Sequence, residues 1–171
     1  MAWAKLITTT LGSAAASFDM SSVPDNKFII LLGHIIRNAS VSYTQPSWRV
    51  GNGTIDTGGN YGYRYSRDGA ADEATTTGGG TGMSPWWTHG SDPTADVFSV
   101  SYLFNFATEA KLIITDAVDN NNAGAATAPR RVEVVGKWAD ATNTIDEIRC
   151  DDIGGGSGFD TGSNIASIGT N

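Results

Sequence analysis

Two histidines, one cysteine and two groups of carboxylates are the side chains of this sequence best suited to chemistry. His34 sits in an apolar stretch and reads as a satisfied core histidine. His89 follows a tryptophan pair, and neither has a second histidine nearby in sequence, so a zinc site would have to be assembled from distant carboxylates. Cys150 has only Arg149 as a basic neighbour in sequence, which is little to activate a thiol, and reads as a small packing residue. A single cysteine also excludes an intrachain disulfide. The carboxylates gather as Asp68, Asp72 and Glu73, and as Asp146, Glu147, Asp151 and Asp152. Paired carboxylates hydrolyse glycosides when held at particular separations, or hold calcium. Their spacing matches no calcium loop, and a solvated acidic rim is the preferred reading. The glycine clusters at 78–82 and 154–158 lack the Gly-Lys-Ser/Thr ending of a phosphate loop and read as hairpin loops. No catalytic residue, metal or cofactor is assigned, and an enzyme is not expected.

Aromatic side chains are the better candidates for contact. Trp86-Trp87 stands in a Gly/Thr-rich stretch, where the rings must cap the domain's own core, meet another subunit or meet a glycan. Trp3, Trp48, Trp86, Trp87, Tyr61, Tyr63 and Tyr65 are the candidate interface or ligand contacts.

The elements that position them alternate with period two. Residues 97–106 place Phe98, Val100, Tyr102, Phe104 and Phe106 on one face, expected in the core. Ser99, Ser101 and Asn105 fall on the other face, expected near water, with Leu103 the one apolar residue there. Tyr61, Tyr63 and Tyr65 share a face opposite Gly62, Arg64 and Ser66, and residues 131–138 alternate likewise. Residues 28–32 are continuously apolar, as expected of a strand covered on both sides. Further strands are expected over 3–10, 17–20, 47–50, 110–115, 144–151 and 163–168, with one or two helical turns near 107–111. Turn signals such as Val23-Pro24-Asp25-Asn26 and Gly51-Asn52-Gly53 separate them. The expectation is all-β: about ten short strands in a two-sheet antiparallel sandwich, jelly-roll-like, forming one domain over 1–171. Residues 68–96 read as a long irregular loop, and 1–5 as a contact arm.

Composition narrows the function classes. The 21 glycines in 171 residues, with only 17% charged residues, suit many turns and few helices. A net charge of −7 with scattered cations disfavours nucleic acid and anionic membranes as partners. The start of the chain lacks the basic and apolar segments of a signal peptide, and the longest apolar run, 28–36, is too short to span a bilayer. A soluble protein is expected, and the sequons at Asn38 and Asn52 are then without consequence.

The order of motifs resembles a group of small structural proteins in tailed-phage virions. Residues 13–24, ending in Val23-Pro24, resemble its small-residue strand and Ile-Pro turn, and an apolar strand follows over 27–37. The Arg49-Val50-Gly51-Asn52-Gly53-Thr54 segment, Lys137-Trp138, residues 145–148, Gly158-Phe159-Asp160-Thr161-Gly162-Ser163 and Ile168-Gly169 are similar to its later pattern. The resemblance implies a β-sandwich or jelly-roll module made in the host cytoplasm and placed on the virion exterior. It implies a capsid decoration protein, homo-oligomeric and expected to be a trimer, with the major capsid protein or another virion protein as partner. The alternative is a tail or head-fibre module binding a receptor or host surface glycan through Trp48, Trp86, Trp87 and the tyrosine face. A carboxylate-based glycan hydrolase is the remote one.

Overall fold

Alternating apolar and polar residues give each segment one face to bury, and segments punctuated by glycine, asparagine and proline pair with one another. The computed structural model describes residues 2–41, 44–80, 82–86, 96–119, 128–154 and 158–171, with 75–80 as backbone only. Among the described residues there are twelve strands and no helix. They are β1 (Ala4–Thr10), β2 (Ser17–Ser21), β3 (Phe28–Ile36), β4 (Pro46–Gly51), β5 (Tyr61–Arg67), β6 (Glu73–Gly80), β7 (Ser84–Pro85), β8 (Asp96–Phe104), β9 (Lys111–Asp119), β10 (Arg130–Trp138), β11 (Glu147–Asp152) and β12 (Asn164–Thr170). An eight-stranded sheet runs β1-β12-β3-β8-β9-β10-β5-β6, and a four-stranded sheet runs β2-β11-β4-β7. Every pairing is antiparallel. The chain is therefore the expected β-sandwich. Its eight-plus-four division, with β8, β9 and β10 as a meander, is not the paired four-stranded sheets of a jelly roll.

Two local expectations give way. Residues 68–96 contain β6 and β7, because the β-branched run at 75–77 extends the sheet beside β5. Gly78 to Gly80 thus belong to a strand, not to a hairpin loop. Residues 107–108 form a turn where a short helix was expected, and Lys111 already opens β9.

The largest revision concerns β8. Ser99, Ser101, Leu103 and Asn105 are buried between the sheets, while Phe98 and Tyr102 stand about half exposed on the outer face. The expected faces are reversed. The reason lies in the opposing sheet, where β4 and the residue after β7 send Trp48 and Trp86 into the interior, both fully buried with ring centroids 5.2 Å apart. Two indoles need small partners opposite them, and Gly33, Ser99, Ser101 and Thr115 provide that room. The Trp48 indole N–H donates to Ser101 Oγ at 2.8 Å, Ser101 Oγ lies 2.7 Å from Thr115 Oγ1, and the Ser84 hydroxyl reaches Thr115 Oγ1 at 2.5 Å. The hydroxyls of Ser84, Ser101 and Thr115 tolerate burial because they satisfy one another.

Tyr61 ties the sheets at another corner. It is buried on β5, and its hydroxyl accepts the Val50 N–H at 3.1 Å while lying 2.9 Å from Val50 O and 2.8 Å from Asp56 O. Burial pushes its ionisation well above the ordinary value of 10, against a smaller opposing effect of the Val50 backbone. Burial, and then the hydrogen bond to Glu73, push Tyr65 up to about 12. A raised tyrosine pKa stabilises the fold fully below pH 10, and that contribution is lost as pH rises beyond it. Tyr61→Phe is expected to lower unfolding stability at neutral pH by about 1–3 kcal/mol, since Val50 N–H is left buried without its acceptor. Urea melts from neutral to alkaline pH check both effects: the variant should lose less stability above pH 10 than the parent.

Candidate functional site: the outer face of the larger sheet

The reactive side chains singled out in the sequence hold the fold together. Arg149 grips Asp19 with two hydrogen bonds, Nε to Oδ1 at 2.7 Å and a second guanidinium N–H to Oδ2 at 2.8 Å, and Arg49 pairs with Asp151 at 2.9 Å. Asp146 accepts the Gly53 N–H at 2.6 Å, Asp152 accepts the Gln45 N–H at 2.9 Å, and Asp68 accepts the Arg131 N–H at 3.0 Å. Asp72 lies 3.5 Å from Arg64, and Glu73 takes the Tyr65 hydroxyl at 2.5 Å. The group at 146–152 thus supplies loop staples and cross-strand ion pairs, whereas Asp68, Asp72 and Glu73 stand exposed, as a solvated rim should. Burial pushes the Cys150 thiol well above its ordinary range, with Asp151 and Asp152 adding to the effect, as suits a packing residue. His34 corrects the expectation of a core position. It is exposed on β3, its ring 3.2 Å from the Asp96 carboxylate, because the inward places beside it belong to Gly33 and Ile35. His89 lies outside the described residues. Among the described residues, no three His, Cys, Asp or Glu side chains are grouped to hold a metal.

The contact candidates divide sharply. Trp48, Trp86 and Tyr61 are sealed in the core, so they offer no surface to a ligand. The indoles are large enough to bridge the two sheets, and the small residues opposite them draw them in. Tyr63 and Tyr65 share the inward face of β5 with Tyr61, as the alternation predicts, and are partly buried against the core. Trp87 lies outside the described residues. Trp3 alone among these is half exposed, and it stands beside Phe28 and Ile30 on the outer face of the larger sheet. Ala4 and Lys5, read both as part of a contact arm and as the start of a strand over 3–10, are paired in β1.

That outer face is the feature the candidate list missed. Cross-strand register aligns Ile168, Ile30, Tyr102, Ile114 and Val135 as one rung across β12, β3, β8, β9 and β10. Phe28, Phe104 and Leu112 form the next rung. Leu32 and Val100 precede them, and Phe98 and Val118 lie beyond. Tyr102 and Ile114 are each 54% exposed, Leu112 53% and Trp3 50%. Trp3, Phe28, Ile30, Tyr102, Phe104 and Leu112 line part of a shallow groove of about 420 Å³. At one end of the face Phe104 stacks on Phe106 at 4.2 Å, with the Phe28 ring edge-on to both. The band spans five strands, about 20 Å at the usual strand spacing. Lys5 borders it on one side, Arg64 and Lys137 on the other, and Asp116 and Glu133 above.

The opposite outer face, on the smaller sheet, is of another character. There the outward positions of β2, β11 and β4 carry Arg149 paired with Asp19, Arg49 paired with Asp151, and Glu147. One side of the sandwich is built for water and the other is apolar. No family model, curated protein or solved structure matches the chain.

Proposed function

We propose that this protein works by assembly, docking the outer face of its larger sheet against a protein surface. The contrast between the two outer faces carries the reading. A monomer seldom exposes a contiguous apolar patch beyond a few hundred Å², and larger ones mark interaction surfaces. The half-exposed side chains of this face amount to on the order of 600 Å² before the partly buried residues between them are added. The composition of β3 supports the same reading: Phe28 to Leu32 is apolar without a break, as in a strand covered on both sides, yet one side of it is only partly covered within the chain. A second subunit supplies the missing layer.

Within that class, the motif order described above favours a virion structural protein, a decoration protein coating the head of a tailed phage. A glycan-binding module would need a platform other than Trp48, Trp86 and Tyr61, all of which are core residues. The test is incubation of the purified chain with heads of the phage that encodes it, followed by sedimentation. The parent is expected to co-sediment, and Ile114→Lys, which places a charge in the middle of the band and so blocks the assembly that head binding requires, is expected to remain in solution while still folded. A folded Ile114→Lys chain that binds heads as well as the parent would overturn the role of this face, and a parent that never binds would overturn the decoration role.

A further inference from the structure

We infer that the occupant of the apolar face is a second copy of this chain, packed sheet against sheet about a two-fold axis running along the strands between β3 and β8. This deepens the assembly reading and rests on it. Three strands lie on each side of that line before the β5–β6 extension begins: β3, β12 and β1 on one side, β8, β9 and β10 on the other. A two-fold rotation about an axis in the plane of the interface brings each strand of one set over its counterpart in the other.

The rungs then match in kind. Tyr102 comes over Ile30, Phe104 over Phe28, Val100 over Leu32 and Ile114 over Ile168, each pair lying on one rung of the hydrogen-bond register. At the border, β10 comes over β1. Lys5, which shares the rung of Ile168, is set over Val135, between Glu133 and Lys137. No two like charges fall directly opposite, and Trp3 lies towards Lys137, within reach of a cation–π contact. Aligned sheets pack about 10 Å apart and turned by about 30°, which shifts the border rungs but leaves the central pairs beside the axis in contact.

Area favours a copy as well. A stable interface of standard size takes about 800 Å² from each partner, close to what this face offers with its rim included. A two-fold contact uses the same patch on both partners and closes, leaving the ion-paired faces of the smaller sheets outward on both sides of the dimer. The product is a four-layered slab with water-compatible outer surfaces and its apolar faces enclosed.

Light scattering of the full chain, with sedimentation velocity over a concentration series, tests this directly. The parent is expected to have the mass of a dimer. Tyr102→Lys and Ile114→Lys, whose altered side chains point away from the chain's own core, are expected to weaken association more than about tenfold while leaving the circular dichroism and melting transition of the protomer in place. A dimer indifferent to both variants, or a trimer, overturns the two-fold contact through this face. A monomeric parent overturns it too, and the head-binding assay then separates the cases: binding lost in Ile114→Lys makes the partner a head protein and keeps the assembly reading, whereas binding unaffected removes both.

Discussion

Trp48→Ala is expected to destabilise the fold by about 3–5 kcal/mol, against a total of about 5–15 kcal/mol for a typical domain. The indole is fully buried at the centre of the sandwich, against Trp86 and over the space beside Gly33. Its removal empties a volume that the surrounding β-sheet backbone is too rigid to refill. It also takes away the N–H bonded to Ser101 Oγ, the first link of the hydroxyl chain through Thr115 to Ser84. Both effects act in the same direction, since a cavity and a weakened polar network are each unfavourable. Urea unfolding with tryptophan or far-ultraviolet detection measures the change. A loss below about 1 kcal/mol would show that the indole does not fill the space assigned to it.

Gly136→Ala should rank beside it, for the opposite physical reason. A Cβ at this position of β10 would lie 1.5 Å from the Met83 carbonyl oxygen and 3.2 Å from Ile113 Cγ2. The first obstacle is backbone, so no rotamer change relieves it. The segment leading into β7 must lift away, taking with it the seat of Trp86 and the buried hydroxyl of Ser84. A loss of about 3 kcal/mol or more is expected, at the upper end of the overpacking range. Gly12→Ala is the control: nothing lies within 4 Å of its added Cβ, and stability should hold or rise slightly. Equal effects at the two glycines would contradict the close approach of β7 to β10.

The strands were legible because period-two patterning is a local property. β5 is found where the three tyrosines place it, and β3, β10 and β12 lie within a few residues of the expected bounds. The orientation of β8 was not legible. Alternation shows that Phe98, Val100 and Tyr102 share a face, yet which face turns inward depends on what the other sheet brings to meet it. Burial of apolar residues is a one-way rule, because much of a folded surface is apolar too. Two indoles arriving from the smaller sheet make serine the better inward residue for β8 and leave the aromatics outside. The same inversion hid the candidate site. Tryptophan and tyrosine are sound markers of contact in general, but Trp48, Trp86 and Tyr61 are consumed by the core, and the contact surface falls to Ile30, Tyr102, Leu112 and Ile114. One signal in the sequence did point there: the unbroken apolar run of β3 asks for cover on both sides, while the four-stranded sheet can cover only one.

The carboxylates show the same limit from the other side. Sequence groups Asp146, Glu147, Asp151 and Asp152 together, whereas pleating sends Asp151 outward to Arg49 and Asp152 inward to the Gln45 N–H. Neighbours in sequence are thus separated in space, and the partners of Asp151 and Asp152 come from β4 and the residue just before it, roughly a hundred residues away.

Hydroxyl-radical footprinting of the protein, dilute and then assembled, tests the central claim most directly. The outward side chains Tyr102, Phe98, Leu112 and Ile114 should be oxidised in the dilute chain and protected on assembly, while Tyr63 on the inward face of β5 reacts equally in both states. Oxidation of Tyr102 and Leu112 that is the same in the dilute and assembled protein would contradict the assignment of this face as the surface through which the chain works.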